Sequence, residues 1–380
     1  MKLLLINYEF PPLGGGAGNA TKNIAKEIAI LGQEVVVLTT FFQGLKEDEF
    51  IDGYRIIRLR SLRKKKYQSN IIEMISFVLS AIFFLRTFIR IWKPEKVISF
   101  FSIPSGIVAY YLKRKFNIDY IISLRGGDVP GFNVNSKTLD IIHQFTLPVN
   151  KIIWGNSNHI VANSVGLREL AEKTAVEVNK KVEIIDNGID LSIFYPGTNK
   201  INSKIRILFV GRLNKQKRVV DIIKAINIVI KKKKDSKNKI DFLIIGDGPE
   251  KSALEELTNN LGLNNIIKFY GWVDRNLLPD EYRESDIFVS PSTDEGMPNT
   301  ILEALASGLP IITSNVSGNR ELVIDNINGF VINNIEELPE TLEKIIESDE
   351  LRKKFGQESL IISKSYSWKE AAMKYIELIE

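Results

Sequence analysis

Short runs of apolar, β-branched residues alternate along the whole chain with longer segments of helical periodicity. The first half predicts strands at Lys2–Asn7, Glu34–Thr39, Arg55–Leu59, Lys96–Phe100, Tyr120–Leu124, Ile160–Asn163 and Val182–Ile185. The second half predicts strands at Ile205–Val210, Asp241–Ile245, Ile266–Tyr270, Asp286–Ser290, Pro310–Thr313 and Gly329–Ile332. Nearly continuous apolar strands separated by helices are typical of parallel sheets covered on both faces. The sequence therefore predicts an α/β fold.

The length of the chain, 380 residues, exceeds what one compact core usually supports, so we expect two domains. The polar stretch from Tyr195 to Lys204 separates the two series of strands and is typical of a linker. We predict a first domain at residues 1–197 and a second at 198–365, each a doubly wound, Rossmann-like sheet, facing a central cleft. Ligands of such sheets bind outside the carboxyl ends of the strands, so the loops after strands should carry the function.

Composition removes several classes of protein. Cysteine is absent, which excludes disulfides and thiolate metal sites, and only His143 and His159 could offer imidazole ligands, so a zinc enzyme is disfavoured. The apolar run Leu3 to Ile6 is far shorter than the core of a signal peptide. With 44% hydrophobic and 26% charged residues, the chain resembles a soluble globular protein, which we expect to act in the cytoplasm.

A basic segment lies next to an apolar one. The net charge of +5 favours anionic partners without selecting among nucleic acid, lipid headgroup and nucleotide. Seven basic residues and no acid lie between Arg55 and Lys66, and Ile71 to Ile91 is strongly apolar. Its uncharged core, Met74 to Leu85, is shorter than the roughly 20 residues that span a bilayer. A protein resting on an anionic membrane is one interpretation. A helix buried against a sheet is the other, favoured for the apolar part.

Two carboxylates stand eight positions apart, at Glu295 and Glu303. Glu295 should lie in the loop after a strand, and Glu303 inside a predicted helix from Thr300 to Ala306. A helix N-terminus at the carboxyl end of a strand binds anions, so acids around it are suited to the hydroxyls of a phosphorylated sugar compound. The alternative is a solvated loop followed by an ordinary amphipathic helix.

The loop from Glu9 to Ala20 follows the first strand, and its glycines permit close approach to phosphate. The dinucleotide pattern G-x-G-x-x-G is not met, and the second strand lacks a ribose-binding acid after it, which disfavours a nicotinamide enzyme. A turn without a ligand is the alternative.

A second loop with candidate ligand-binding residues follows the strand Ile205–Val210. Arg212 and Lys217 are suited to a pyrophosphate held without metal, and no Asp-x-Asp motif occurs in the chain. Basic residues at a solvated helix start are the alternative. The turn Gly246–Pro249 comes after the next strand and is equally compatible with a tight β-to-α connection. Arg125 and Asp128 follow a first-half strand, where they could line the cleft or pair with each other.

Taken together, these segments resemble the retaining glycosyltransferases of family four, which have the GT-B fold. The resemblance covers nearly the whole chain and rests on Gly14–Gly16, Asn187–Asp190, Gly211-Arg212 with Lys217, Gly246–Pro249 and the Glu295 to Glu303 pair. The end of the chain, residues 366–380, is similar to the family's terminal helix, which crosses back to the first domain.

The resemblance implies a hexosyltransferase with a nucleotide-sugar donor. Family habit favours uridine diphosphate as the carrier, and guanosine diphosphate is the alternative. The resemblance implies catalytic roles for Arg212 and Lys217 at the diphosphate and for Glu295 at the transferred sugar. It also implies donor-binding roles for Gly15, Gly16, Gly211, Gly248, Trp272, Val273, Met297, Pro298, Asn299, Thr300 and, at the ribose, Glu303. Arg125 and Asp128 would lie on the acceptor side.

Two departures from the family pattern stand out. Many relatives have His-Gly-x-Asp where this chain has Arg125-Gly126-Gly127-Asp128, and relatives usually have glycine where this chain has Arg218. No histidine lies between Glu9 and Thr21 to act as the base of an inverting enzyme, so retention by a front-face mechanism fits better.

We therefore expect sugar transfer to a glycolipid or polysaccharide at the inner face of the membrane, with no cofactor, no metal and no nucleic-acid partner. A nucleotide-sugar 2-epimerase on the same fold, which needs no acceptor, is the alternative enzyme. A binding protein with an inactive cleft is the non-enzymatic alternative, disfavoured because the basic and acidic residues are all present.

Overall fold

Two separate sheets organise the chain. The computed structural model describes residues 1–66, 69–132, 137–197, 204–232 and 239–380, without the side chains of residues 137–140. Its contacts divide the chain into a first unit, Met1–Gly188 with Trp368–Glu380, and a second unit, Ile189–Ser367. This division falls after Gly188, whereas we expected it after residue 197. Much of the predicted linker, residues 198–203, lies outside the described residues.

The first unit contains an eight-stranded sheet in the order β3-β4-β2-β1-β5-β6-β7-β8. Its strands are β1 (Lys2–Ile6), β2 (Glu34–Thr40), β3 (Asp48–Ile51), β4 (Tyr54–Leu59), β5 (Lys96–Phe100), β6 (Asp119–Ser123), β7 (His159–Ala162) and β8 (Val182–Ile184). Strand β3 is antiparallel to β4, and the other pairs are parallel. The sequence did not predict β3, although Asp52 and Gly53, both with positive φ, form the type of turn that joins hairpins.

Within the described part of the first half, the helices that cover this sheet are α1 (Gly16–Ile30), α2 (Ile71–Ile91), α3 (Ser105–Phe116), α4 (Lys137–Asn156) and α5 (Val165–Ala175). Alternate residues of β1 point to opposite faces, so Leu4 and Ile6 pack in one core and Leu3 and Leu5 in another. The first core includes residues of α2, α3, α4 and α5, and the second includes residues of α1. The sheet is therefore covered on both faces, as the apolar strands predicted.

The helix α2 has two apolar faces with different surroundings. By length and composition it is the one helix in the described part of the chain that could cross a bilayer, with 28% of its most apolar window buried. Phe77, Ala81 and Leu85 are buried in the core of the first unit. The expectation of a helix buried against a sheet is therefore correct for one face only, because apolar side chains of the other face are exposed.

The second unit contains a six-stranded parallel sheet in the order β11-β10-β9-β12-β13-β14. Its strands are β9 (Ile205–Val210), β10 (Ile240–Ile245), β11 (Ile267–Gly271), β12 (Ile287–Ser290), β13 (Ile311–Ser314) and β14 (Gly329–Ile332). The chain builds outward from β9 to β11 and then returns to place β12 on the other side of β9. The point where the direction reverses, between β9 and β12, is where such sheets bind ligands.

The helices of this unit are α6 (Val219–Lys232), α7 (Lys251–Asn260), α8 (Leu278–Arg283), α9 (Asn299–Ala306), α10 (Ser317–Arg320), α11 (Leu338–Glu347) and α12 (Asp349–Ser363). The helix predicted at Thr300 to Ala306 is thus present as α9, one residue longer at its start. The last helix, α13 (Trp368–Ile379), belongs to the first unit, where its Tyr375 hydroxyl lies 2.6 Å from Oγ of Ser123.

Candidate active site

The loops after β9 and β12 are joined at the point where the sheet reverses direction. The loop after β9 contains a short 3-10 helix, Lys215–Lys217, which Asn214 caps by accepting the N–H of Lys217. The backbone N–H of Thr293 donates to the carbonyl of Gln216 at 2.9 Å. The side-chain amide of Gln216 donates to the carbonyl of Asp294 at 2.6 Å. These bonds fix the two loops against each other, so the residues they carry have a defined separation.

Lys217 and Glu295 form an ion pair across this junction, in which Nζ donates to Oε1. Their side chains are 17% and 11% exposed, so the pair is largely removed from water. A charge pair in such surroundings is screened little. Arg212 lies on the same loop as Lys217 and is exposed. The structure therefore brings together two of the three predicted catalytic residues, and it places the third on the loop that carries one of them.

The glycine turn after β10 packs on the backbone of the loop after β9. A Cβ atom on Gly248 would lie 2.3 Å from the carbonyl oxygen of Leu213, and one on Gly246 would lie 1.8 Å from that of Gly211. Gly246 also has a positive φ of 143°. Packing alone thus requires glycine at these two positions. The predicted donor-binding role of Gly211 and Gly248 stays a prediction.

The segment from Met297 to Thr300 forms the start of α9. Met297 and Pro298 are buried, whereas Asn299 and Thr300 are partly exposed. Among the residues that the structure describes, no side chain caps the helix at Pro298. The loop before it lies against α10, because a Cβ on Gly318 would meet the carbonyl oxygen of Gly296 at 1.6 Å. The four predicted cradle residues are therefore contiguous at a helix N-terminus, the part of a helix that favours anions.

Glu303 is 1% exposed, and both of its carboxylate oxygens have partners. Nη2 of Arg275 donates to Oε1 at 2.5 Å, and the hydroxyl of Tyr282 donates to Oε2 at 2.8 Å. Burial and the neighbouring Glu303 carboxylate raise the pKa of Tyr282 well above its usual value. The sequence reasoning missed Arg275 and Tyr282. A position in the loop after a predicted strand was the only signal for Arg275, and Tyr282 had none.

The predicted base-bordering residues lie after β11. Trp272 is 61% exposed. Val273 is partly buried and packs against a core cluster of the second unit. Trp272, Val273 and Arg275 share one short loop, which begins at the carboxyl end of β11.

The glycine-rich loop of the first unit opens α1. Gly14 has a φ of 78°, and its N–H donates to the carbonyl of Lys66 at 2.8 Å. Gly15 precedes the helix and Gly16 is its first residue. A Cβ on Gly14 would lie 2.4 Å from Oε2 of Glu9, whereas one on Gly15 would meet open space. The backbone conformation at position 14 therefore requires glycine. The open space beside Gly15 is compatible with the predicted approach to a phosphate.

Arg125 and Asp128 lie after β6 and have separate sets of partners. The Asp128 carboxylate accepts the backbone N–H groups of Ser102 at 2.9 Å and of Arg125 at 3.0 Å. Burial raises the pKa of Asp128, and those backbone bonds oppose the shift. The guanidinium of Arg125 donates to Asn187 at 2.8 Å and to the Tyr375 hydroxyl at 3.2 Å. The Asp128 carboxylate thus binds the backbone N–H of Arg125, whereas the guanidinium of Arg125 binds Asn187 and Tyr375.

His143, which the sequence analysis named only as a possible imidazole ligand, contacts the same loop. His143, on α4, is buried, and its Nε2 lies 3.1 Å from the carbonyl oxygen of Gly127. Gly15, Gly16, Arg125 and Asp128 belong to the first unit, and the other predicted site residues belong to the second. Among the described side chains, no cluster of three or more His, Asp or Glu residues is arranged to hold a metal ion.

Comparisons with known proteins cover almost the whole chain. The family model described as Glycosyltransferase Family 4 matches residues 14–193, and the one described as Glycosyl transferases group 1 matches residues 195–360. The chain is 37% identical over 166 residues to UDP-Gal:alpha-D-GlcNAc-diphosphoundecaprenol alpha-1,3-galactosyltransferase of Escherichia coli, a match that spans 40% of this chain and only 41% of that enzyme.

Two further likenesses extend over the full length. The chain is 24% identical to alpha-monoglucosyldiacylglycerol synthase of Acholeplasma laidlawii, over 100% of this chain and 98% of that enzyme. The structure superposes on sucrose-phosphate synthase from Thermosynechococcus elongatus with a TM-score of 0.84, 19% identity and coverage of 99% and 98%. The two doubly wound units and this superposition confirm the predicted GT-B fold class. Together with the two family matches, they establish that the chain is a glycosyltransferase of group 1 and family 4.

Proposed function

We propose that this protein is a retaining, metal-independent glycosyltransferase that moves a sugar from a nucleotide diphosphate, uridine diphosphate (UDP) in the first instance, to a hydroxyl of a glycolipid or polysaccharide. The observation that carries the proposal is the Lys217–Glu295 pair at the reversal point of the second sheet. A cation and a carboxylate held together there can bind two adjacent parts of one nucleotide-sugar donor. The cation suits the diphosphate, and the carboxylate suits the sugar hydroxyls.

The charges around the pair favour an anionic ligand. Lys217 and Glu295 neutralise each other in the free protein, and Arg212 adds a further positive charge on the same loop. A diphosphate can draw on Arg212, on Lys217 and on the N-terminus of α9. Glu295 then accepts hydrogen bonds from the sugar hydroxyls. Nζ of Lys217 donates to a phosphate oxygen as well as to Glu295. Lys217 is held beside Glu295 in the free protein, so we expect this pair to need little rearrangement when charge develops on the diphosphate.

The proposed reaction is a front-face displacement. The bond between the anomeric carbon and the diphosphate oxygen breaks, and the acceptor hydroxyl forms a bond to that carbon from the same face. The acceptor proton passes to the departing diphosphate oxygen, so no separate base is needed. Arg212 and Lys217 stabilise the negative charge that develops on the diphosphate. Configuration at the anomeric carbon is retained.

The names of two relatives support the choice of substrates. The Escherichia coli relative uses a UDP-sugar and an undecaprenol-linked acceptor, and the Acholeplasma laidlawii relative makes a glucosylated diacylglycerol. Both names describe lipid-linked products. A lipid-linked acceptor would present its hydroxyl at a membrane surface, so we propose that the protein works in the cytoplasm, in peripheral contact with the inner face of an anionic membrane.

The exposed face of α2 supports the membrane contact. Four of its apolar residues recur every fourth position and are 53–76% exposed: Ile71, Ile75, Leu79 and Phe83. Residues at this spacing lie on one side of a helix. Arg86 and Arg90 on the same helix are exposed, as are Lys64, Lys65 and Lys66 before it. Apolar side chains bordered by cations match the acyl chains and headgroups of an anionic bilayer.

Vesicle flotation tests this contact. We expect the protein to float with anionic liposomes at low salt, and the double variant Leu79→Ser, Phe83→Ser to remain at the bottom. The matched control is Ile228→Ser, which changes an apolar residue of similar exposure, 51%, on α6 of the second unit. A wild-type protein that does not bind anionic liposomes would contradict the membrane contact and indicate a soluble acceptor.

Sugar transfer itself is tested with purified protein, a panel of nucleotide sugars and membrane lipid acceptors, with and without a chelator. We expect a product only when the acceptor is present, an anomeric configuration that matches the donor by nuclear magnetic resonance, and activity unaffected by the chelator. Arg212→Ala should lower the rate about 10² to 10³-fold. An isomerised nucleotide sugar formed without an acceptor would instead identify the epimerase. Unchanged turnover in Arg212→Ala would contradict the assigned chemistry.

A further inference from the structure

Arg63, in the basic segment between Arg55 and Lys66, is a buried cation. Its side chain is 1% exposed. Nη1 is buried and has no hydrogen-bond partner among the residues that the structure describes. Burying a polar group without a partner is costly, and replacing a buried ion pair by apolar side chains of similar volume is often neutral or stabilising. Stability alone therefore gives no reason for an arginine at this position.

The hydrogen bonds that Arg63 makes connect it to the glycine-rich loop, residues 9–20. Nε donates to the carbonyl of Lys65 at 2.8 Å, and Nη2 donates to the carbonyl of Lys66 at 3.1 Å. The carbonyl of Lys66 also accepts the backbone N–H of Gly14 at 2.8 Å. One backbone carbonyl thus joins the guanidinium of Arg63 to the glycine-rich loop.

Arg63 also contacts the start of that loop. Nη2 lies 3.8 Å from Oε1 of Glu9, whose side chain is 13% exposed, and the guanidinium carbon lies 6.0 Å from the centre of the Tyr8 ring. The Glu9 carboxylate lies against Gly14, where a Cβ atom would clash with it. Arg63 therefore holds the segment from Glu9 to Gly14 at both ends, directly at Glu9 and through Lys66 at Gly14.

Gly14 comes immediately before the two glycines that are predicted to approach a phosphate. Gly15 precedes α1, and Gly16 is its first residue. Glycine has the largest conformational freedom and no side chain that could pack, so the position of this segment depends on contacts made by its neighbours. A backbone N–H binds a phosphate oxygen well only when it is held in the required place.

We propose that Arg63 is a positioning residue that holds the glycine-rich loop in the conformation in which Gly15 and Gly16 meet a phosphate of the nucleotide. The inference rests on the proposed function, since it requires a nucleoside diphosphate donor. Arg63 itself does not touch the ligand, because its guanidinium is buried. It acts through the Lys66 carbonyl and through Glu9.

The test is calorimetric binding of UDP and uridine monophosphate (UMP), two probes that differ by one phosphate. We expect the wild-type protein to bind UDP more tightly than UMP. In Arg63→Met, the affinity for UDP should fall about 10 to 100-fold, as for loss of a hydrogen bond to a charged group, while the affinity for UMP changes little. A purely structural role would weaken both ligands or neither.

Hydrogen exchange in the free protein reports on the loop itself. Arg63→Met should raise the exchange rate of amides in peptides that cover residues 13–16, because the carbonyl that accepts the N–H of Gly14 is no longer fixed. Unchanged exchange in these peptides would overturn the positioning role, whatever the ligand.

Arg58→Met is the matched control. The Arg58 side chain is 4% exposed, Nη2 lies 2.7 Å from Oε1 of Glu49, and Nη1 donates to the carbonyl of Lys46 at 2.9 Å. Its buried Nε also lacks a hydrogen-bond partner in the described part of the chain. These contacts are made with β3 and the residues before it, so the control should change neither the ratio of the two affinities nor the exchange of residues 13–16.

A double variant keeps the test interpretable if Arg63→Met does not fold. Arg63→Met with Glu9→Gln removes both charges of the ion pair, so it should fold more readily than the single variant. It should still lose the preference for UDP, because the Lys66 carbonyl remains unfixed.

The outcomes separate the inference from the proposed function. If the Arg63 variants keep the wild-type ratio of the two affinities, or weaken UDP and UMP equally, the positioning role is wrong and the transferase proposal stands. A wild-type protein that binds UMP as tightly as UDP would also contradict the positioning role. If the wild-type protein binds neither UDP nor guanosine diphosphate, the proposed donor is wrong and the inference falls with it.

Discussion

Nζ of Lys217 donates a hydrogen bond to Oε1 of Glu295 across 78 positions of sequence. If the lysine stabilises the departing diphosphate, Lys217→Ala should lower the rate of transfer about 10² to 10³-fold. It should also leave the poorly exposed Glu295 without its counter-charge. The rate is measured at saturating donor and acceptor.

A double variant separates the two effects. Because the residues are in direct contact, Lys217→Ala with Glu295→Gln should lose less activity than the product of the two single losses. Independent losses that multiply would show that the ion pair does not act as a unit, and the shared role proposed for the two residues would be wrong.

Tyr282→Phe tests whether the second oxygen of Glu303 needs its partner. The hydroxyl donates at 2.8 Å to a carboxylate that is almost fully buried, so its removal should lower the free energy of unfolding by about 1–3 kcal/mol. Urea titration measures the change. Tyr270→Phe, which alters a tyrosine that is 50% exposed, should change the free energy of unfolding little. Equal effects of the two substitutions would contradict the structural role of the bond.

The fold could be predicted largely from local patterns, whereas the side-chain pairs could not. Apolar runs such as Ile205–Val210 identify buried parallel strands because both faces need apolar residues. The strand β3 was missed since its residues, Asp48 to Ile51, are mostly exposed and show no such run. The partners of Glu303 lie 21 and 28 positions away, on elements whose approach depends on tertiary packing. Spacing in sequence therefore located the acid but not the residues that donate hydrogen bonds to it.

The backbone conformation at Arg218 shows why glycine suits this position in relatives. Its φ is 54°, and it ends the 3-10 helix in the left-handed conformation, which glycine adopts without strain. Arg218→Ala and Arg218→Gly both remove the ion pair with Asp221, and only the second suits the backbone. We expect the glycine variant to be more stable than the alanine variant by about 1 kcal/mol. Thermal and urea unfolding measure the difference, and a more stable alanine variant would refute the backbone argument.

Asp119 should contribute stability that depends on pH. Hydrogen bonds from Lys113 at 2.6 Å and Lys96 at 3.0 Å hold its pKa below the usual 3.8, and burial opposes them. A carboxyl whose pKa is lower in the folded protein stabilises above its unfolded pKa, and this contribution is lost as the pH falls through the folded value. Asp119→Asn should therefore lower the free energy of unfolding at about pH 6 and have a smaller effect at about pH 3. An effect that is the same at both values would exclude the linkage.

Gly318, on α10, packs directly against the loop that contains Glu295. A Cβ atom there would lie 1.6 Å from the carbonyl oxygen of Gly296 and 2.9 Å from that of Glu295, so the loop must move to accommodate alanine. A small displacement of a catalytic group can lower the rate about 100-fold. We expect Gly318→Ala to lower the rate of transfer although every charged residue of the site is intact. Ser317→Ala on the same helix is the control and should retain activity, whereas full activity in Gly318→Ala would show that the loop position is not critical for catalysis.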